Sequence, residues 1–317
     1  MRKFKLVTLV VLSLVVFFSI PQWGQTEQER VDIYKKEANG FNFGIKLFGN
    51  MSHLIGKHDV NEAHKGWNNL VNDSAEAWGE SVDGQLKTLG FGPFFGGELT
   101  LSFIPHFTIG LGVGYIQFTK ESTVTITDPW STMEFTRKPK ITAIPLTLSL
   151  YYNIPLGKTL NAVVGAGVGY YLGKFQNNIH ERFDDEGIAI LFEADSNSIG
   201  FHGGLDLELN ISRTMALVFG VSGRCVKLKD LMGTFSVDWE DAPYDTYVVP
   251  DQTLWYVEED YSWGEDDPLA GKWYAGLATN DEKPEWSFYR NVRKAKISMS
   301  SIALQIGILI RLSQLFK

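Results

Sequence analysis

Apolar and polar side chains alternate with period two in eight separate runs along this chain. In the first, Phe41, Phe43, Ile45 and Leu47 share one face, and Asn42, Gly44, Lys46 and Asn50 the other. The second sets Phe95, Leu99, Leu101 and Phe103 against Gly96, Glu98, Thr100 and Ser102. The third sets Phe107, Ile109, Leu111, Val113 and Tyr115 against Thr108, Gly110, Gly112 and Gly114. Four more follow, apolar at Ile144–Tyr152, Leu160–Tyr170, Phe201–Ile211 and Met215–Val221, and the last runs from Ile302 to Leu312. Such alternation puts successive side chains on opposite faces of a strand. Each run is about ten residues, the length of a strand tilted across a bilayer.

The links alternate too. Ile104-Pro105-His106, Pro155-Leu156-Gly157-Lys158 and Asn210-Ile211-Ser212-Arg213 are tight, whereas the links near 53–90, 119–140, 173–198 and 229–296 are long. Short turns on one side and long loops on the other are the asymmetry of an outer-membrane barrel. An even strand count lets the first and last strands pair and removes both edges. The polar faces are rich in Gly, Ala, Ser and Thr, which suit a narrow interior better than a solvated exterior. Aromatics mark the apolar face near strand ends: Phe41, Phe103, Phe107 and Tyr152 on one side, Tyr115, Tyr170 and Phe201 on the other. These positions match two interfacial girdles. The expectation is an all-β, antiparallel up-and-down transmembrane barrel of about eight strands, rather than a soluble barrel with its apolar face inside. Pro145 cannot donate to a ladder, so a bulge or a later start of the fourth strand is expected there.

The N-terminus narrows the compartment. Arg2, Lys3 and Lys5 precede an apolar run from Leu6 to Phe18, and the chain turns polar at Gln25. That order reads as a secretory signal peptide over 1–24. A short periplasmic segment over 25–40 and a barrel over 41–317 are expected to follow. The net charge of −8 over 317 residues carries no footprint for nucleic acid. Cys225 is the lone cysteine, so no internal disulfide forms. No motif calls for a cofactor.

Several residues carry candidate chemistry. Lys46, Glu98, His202, Asp206, Glu208, Arg224 and Arg311 fall on the interior face. Buried charges in a narrow barrel must be paired, so a structural network is one reading, and a gated conduit or proton-linked site the other. An eight-stranded interior is just wide enough to be filled by side chains or to hold one small ligand. His202, Asp206 and Ser222 contain the residue types of a hydrolase triad, but triads are recognised by geometry. His53, His58 and His64 lack a zinc spacing, while Trp67, Leu70, Val71 and Trp78 recur at helical spacing, predicting a helix over the barrel mouth or on the lipid surface. The fourth long link carries Trp239, Trp255, Tyr256, Tyr261, Trp263, Trp273 and Trp286 among acidic residues. Its aromatic density opposes disorder and suits a surface that binds sugars, cations or a protein, or strands that pack on their own aromatics. Glu265-Asp266-Asp267 lacks an EF-hand pattern.

These strands, the N-terminal signal and the segment Ile302 to Phe316 resemble the small outer-membrane β-barrel domain proteins of the OmpA-transmembrane-domain or OmpX type. The resemblance covers most of the chain as architecture, and no peptidoglycan-binding domain is expected after the barrel. It implies an outer-membrane location, outer-membrane lipid and the barrel-assembly machinery as partners, and an aromatic assembly signal near the C-terminus, matched by Phe316. The first role expected is a non-enzymatic surface protein whose barrel anchors external loops for envelope integrity, adhesion or partner binding. The second is a narrow channel or transporter for small or hydrophobic solutes, and the third a membrane-embedded lipid-modifying enzyme.

Overall fold

A computed structural model describes residues 42–312, except 57, 105, 158, 185, 241–245 and 262–266. The first strand, β1 (Asn42–Leu54), leads into helix α1 (Asp59–Trp78) and β2 (Ser81–Gly84). Then come β3 (Phe91–Ile104), β4 (Phe107–Thr119), β5 (Ser122–Thr127), β6 (Thr132–Pro155), β7 (Leu160–Phe183), β8 (Glu186–Asn210) and β9 (Met215–Cys225). Short β10 (Lys227–Leu228) precedes β11 (Met232–Glu240), β12 (Tyr247–Glu259), β13 (Tyr274–Asn280) and β14 (Tyr289–Lys294). The described chain closes with β15 (Ile297–Ser298) and β16 (Ser301–Arg311).

Eight of these strands form a closed ring. In order around it they are β1, β3, β4, β6, β7, β8, β9 and β16, and every neighbouring pair is antiparallel. β1 pairs with both β3 and β16, so the ring has no free edge. The tight links hold as expected: β6 and β7 are joined through Leu156 N–H donating to Leu160 O at 2.9 Å. In the β8–β9 turn, Ser212 Oγ accepts from the backbone N–H groups of Thr214 and Met215.

The facing also holds. Leu99, Leu111 and Leu304 point outward at 61%, 60% and 72% exposure, while Lys46, Glu98 and Asp206 are buried within. That excludes the soluble alternative, in which the apolar face fills the interior. From Phe43 to Met51 the outward residues of β1 rise about 20 Å for a strand tilted by about 40°, close to the height of an apolar membrane band.

Pro145 departs from expectation. β6 begins at Thr132, earlier than expected, and its pairing with β4 keeps one register on both sides of the proline. No bulge forms. The β4 pairing lapses at Ile144–Pro145, while Pro145 stays opposite Tyr171 on β7. A missing N–H therefore costs one interruption on one side of the strand.

The long links are the larger correction. They are mostly strand: β6, β7 and β8 run 24, 24 and 25 residues, well beyond what a bilayer needs. On β7 the outward face is apolar from Val164 to Leu172, then becomes Lys174, Gln176, Asn178, His180 and Arg182. The inward face changes in the opposite sense, from Gly165, Gly167 and Gly169 to the buried Tyr171 and Phe175. β6 and β8 invert at the same height, with Ile141 and Ala143 buried on one and Phe192 and Ala194 on the other.

Above that level the sheet runs β13-β12-β11-β8-β7-β6-β5-β2, and β12 also pairs with β14. Helix α1 packs against β13 and touches β2, so the predicted helix lies on the external sheet. Gly66 allows that approach, since a Cβ there would meet the backbone of Ala275. The barrel mouth is filled by an apolar core of Ile116, Phe118, Ile141, Tyr171, Phe175, Phe192, Leu228, Leu231, Ile297 and Met299, with Val60 from α1.

Leu148 points outward and Thr147 lines the lumen. Leu148→Arg is expected to lower the stability of the lipid-refolded protein by about 2–4 kcal/mol, measured by denaturant titration in vesicles. Thr147→Arg is expected to act by crowding the interior and to lose the native fold outright. Equal tolerance of both would contradict the facing.

Candidate functional site

The lumen network is built by parity and register. Lys46 on β1 stands opposite Glu98 on β3, yet its Nζ bonds Asp206 Oδ2 across the barrel at 2.6 Å. Gln305 of β16 donates to the other oxygen of Asp206. The Lys46 ammonium also lies 5.1 Å from the Tyr151 ring centre. Glu98 Oε2 accepts from Tyr151 OH at 2.9 Å and Ser149 Oγ at 3.1 Å. Ser149 Oγ lies 3.0 Å from His202 Nε2. Two glycines make room: a Cβ at Gly110 would overlap the Glu98 carboxyl, and one at Gly220 the Asp206 carboxyl.

In the β8–β9 register Arg224 stands opposite His202, and Asp206 opposite Gly220. Arg224 donates to Ser52 Oγ at 3.2 Å and covers the Phe94 ring with its Cζ 4.5 Å from the ring centre. Nearer the short turns, Arg311 donates to Asn210 Oδ1 at 2.7 Å and lies 3.5 Å from Glu208 Oε2. The expected residues therefore split into three groups along the lumen. A cavity of about 80 Å3 sits among the upper ones, lined by Lys46, Glu98, Ser149, His202, Asp206 and Arg224 among others.

The triad geometry is absent. His202 meets Ser149, not Ser222, and Asp206 is committed to Lys46 and Gln305. His202 Nδ1 has no partner, so no carboxylate orients the ring as a triad requires. Ser149, Tyr151 and Gln305 were not among the charged candidates, yet strand parity places all three inside. Their uncharged side chains concealed them.

The external aromatic candidates also divide. Trp239 and Trp286 are exposed, and Trp286 stacks on Tyr289 at 5.3 Å. Tyr261 is partly exposed and donates to Glu259 Oε2 at 2.7 Å. Trp255 is buried with its Nε1–H on Asn280 O, which removes it from any surface. Tyr256 lies under Arg293, 4.1 Å from ring centre to Cζ, and Trp273 under Arg290 at 4.3 Å. Trp263, Phe316 and the pair Glu265-Asp266 lie outside the described residues.

Helix α1 is pinned at its N-terminus. Asp59 takes both Arg293 nitrogens at 2.5 and 2.8 Å and the Lys296 N–H at 2.6 Å. Gly79 ends the helix in the left-handed region, φ 73°, with its N–H on Ala75 O. His58 and His64 are both buried. His64 Nδ1 lies 3.0 Å from Lys87 O, and neither ring nitrogen of His58 has a partner. His53 projects outward against Phe91, so the three histidines do not converge. Burial lowers the pKa of His58 and of His64 from 6.5 to about 4, against the weaker opposing pull of Asp59 and Glu62 on His58.

No protein-family model matches this chain, and no curated protein matches it. Among solved structures, the outer membrane protein OprG from Pseudomonas aeruginosa is similar at a TM-score of 0.35 and 14% identity, over 86% of this chain and 96% of that one. At that level the strand register of the chain itself, not the likeness, defines the barrel.

Two outcomes follow from these contacts. Asp206→Ala leaves Lys46 buried without its carboxylate, and a loss of about 3–5 kcal/mol is expected on unfolding in lipid; a loss below 1 kcal/mol would show that water already screens the pair. For the histidines, the folded pKa lies below the unfolded value. The unfolded chain therefore binds more protons between about pH 6.5 and 4, and their stabilising contribution, complete above pH 6.5, is lost as pH falls through that window. Amide exchange of α1, corrected for intrinsic rate, is expected to quicken from pH 7 to 5, and to do so less in His58→Phe. Unchanged protection would remove the histidines from the stability of the cap.

Proposed function

We propose that this chain is an exported outer-membrane β-barrel without enzymatic activity, and that its barrel anchors the external sheet as a binding surface for a partner outside the cell. The polarity inversion shared by β6, β7 and β8 carries the reading: one solvent is apolar below that level, the other aqueous above it. The apolar, positively flanked N-terminus over 1–24 and Phe316 belong to it as export and assembly signals. Outer-membrane lipid and the assembly machinery are the partners this implies.

The sheet offers exposed aromatics to a ligand. Trp239 and Tyr247 are exposed on it, and Trp286 is exposed on the link that leads into β14. Trp130 stands at the tip of the β5–β6 hairpin at 92% exposure, with Asp128 accepting from the N–H groups of Trp130 and Ser131. Aromatic side chains presented on a rigid frame lose little entropy on binding. The conduit reading is less favoured, because Phe118, Phe175 and Leu228 are buried together in the mouth, where a solute would have to pass. For a lipid-modifying enzyme, the Ser149–His202 pair lies inside the lumen, away from lipid, and lacks an orienting carboxylate.

Two readouts test the placement and the role. In a Cys225→Ser background, Trp130→Cys is expected to react with an impermeant maleimide on intact Gram-negative cells. Ser212→Cys is expected to react only after the outer membrane is permeabilised. The reverse pattern would invert the topology. The refolded protein is expected to stay silent in a planar bilayer, and reproducible conductance steps would replace anchoring by transport.

A further inference from the structure

The external sheet holds two of its arginines in the same way. Arg293 lies over the Tyr256 ring, its Cζ 4.1 Å from the ring centre, and its two Nη groups donate to the two oxygens of Asp59. Arg290 lies over the Trp273 ring at 4.3 Å, and its Nε donates to Glu258 Oε2 at 2.7 Å. Each guanidinium thus has an aromatic ring beneath it and a carboxylate as its hydrogen-bond partner. Both contacts suit a planar, weakly hydrated cation.

A third set of the same ingredients lies next to them without an arginine. The rings of Trp286, Phe288 and Tyr289 touch one another, with centres 4.7 to 5.3 Å apart. Trp286 stays 57% exposed although Tyr289 stacks on it, and Phe288 is exposed as well. Among the described residues, no cationic side chain lies over any of these three rings. Glu259, which accepts from Tyr261 OH, stands opposite Tyr289 in the β12–β14 register. The link before β14 adds Asp281, Glu282 and Glu285 against Lys283. None of these four carboxylates forms an ion pair with a described residue.

We propose that the Trp286–Phe288–Tyr289 cluster docks an arginine side chain from a basic segment of a partner protein, with the guanidinium over an aromatic ring and the neighbouring carboxylates as its counter-charges. This rests on the reading of the external sheet as a binding surface and names the chemistry of its partner. The chain's own Arg290 and Arg293 show that this sheet accommodates a guanidinium between a ring and a carboxylate. An acidic partner would meet like charge, which charge complementarity disfavours. A neutral partner would gain nothing from the carboxylates. Lysine fits less well than arginine, because its ammonium is compact and strongly hydrated and does not stack.

Hexa-arginine is the probe, titrated calorimetrically into the refolded full chain, with hexalysine, hexaglutamate and maltohexaose as comparisons. Saturable hexa-arginine binding is expected, with hexalysine weaker by about tenfold and no binding of the other two. Trp286→Ala keeps every charge and is expected to weaken hexa-arginine by about tenfold or more. Trp130→Ala, at an exposed tryptophan of another hairpin, is expected to leave it unchanged. Glu285→Lys keeps the rings and is expected to weaken binding by about threefold or more. Binding that survives Trp286→Ala would be the attraction of a polycation to an acidic chain, and would overturn the site. Absence of saturable binding would overturn it too, as would a preference for maltohexaose, which would make the ligand a neutral saccharide. The titration uses the purified chain, so a negative result removes the arginine site and leaves the labelling of Trp130→Cys on cells as it stands. Inverted labelling, in turn, would overturn the external placement and not the arginine site.

Discussion

The backbone of a strand crossing a bilayer has no water to bond, so every N–H and C=O must find another strand. The rest of the architecture depends on that constraint. β1 meets both β3 and β16, and the ring leaves no edge. Closing it with eight strands makes the interior narrow, so inward positions go to glycine and short polar residues, and each charge is placed against a particular neighbour. Gly110 and Gly220 mark where a carboxylate needs the space of a side chain from the next strand.

Within that lumen, charge is arranged in layers. Lys46 and Asp206 form a closed pair supported by Gln305, and Arg311 lies near Glu208 and Asn210 toward the short turns. Elsewhere in the lumen, Glu98 and His202 are bonded only in part, and Arg224 donates to Ser52. Burial makes an unused acceptor expensive.

The same backbone serves two solvents. β6, β7 and β8 cross the level at which the outward face turns from apolar to polar without a break in pairing, and their faces exchange roles there. Above it the sheet has edges again, at β2 and β13, and α1 packs on β13 with its N-terminus tied to Arg293 and Lys296 through Asp59. Helix, sheet and the apolar mouth share residues such as Val60.

The period-two pattern by itself determined the barrel strands, their facing, the tight turns and the interior position of Lys46, Glu98, His202, Asp206, Glu208, Arg224 and Arg311. These follow from local geometry, since side-chain parity along a strand needs no knowledge of the partner. The same pattern concealed the upper halves of β6, β7 and β8, because the alternation reverses phase at Tyr170-Tyr171-Leu172 and reads there as the end of a strand. Only the tertiary structure decided that Lys46 reaches Asp206 instead of its register partner Glu98, that Trp255 is buried while Trp286 is not, and that the mouth is filled. Each of those depends on which strands lie across the barrel or over it, and the closure of the ring and the path of distant segments set that distance, not parity along one strand.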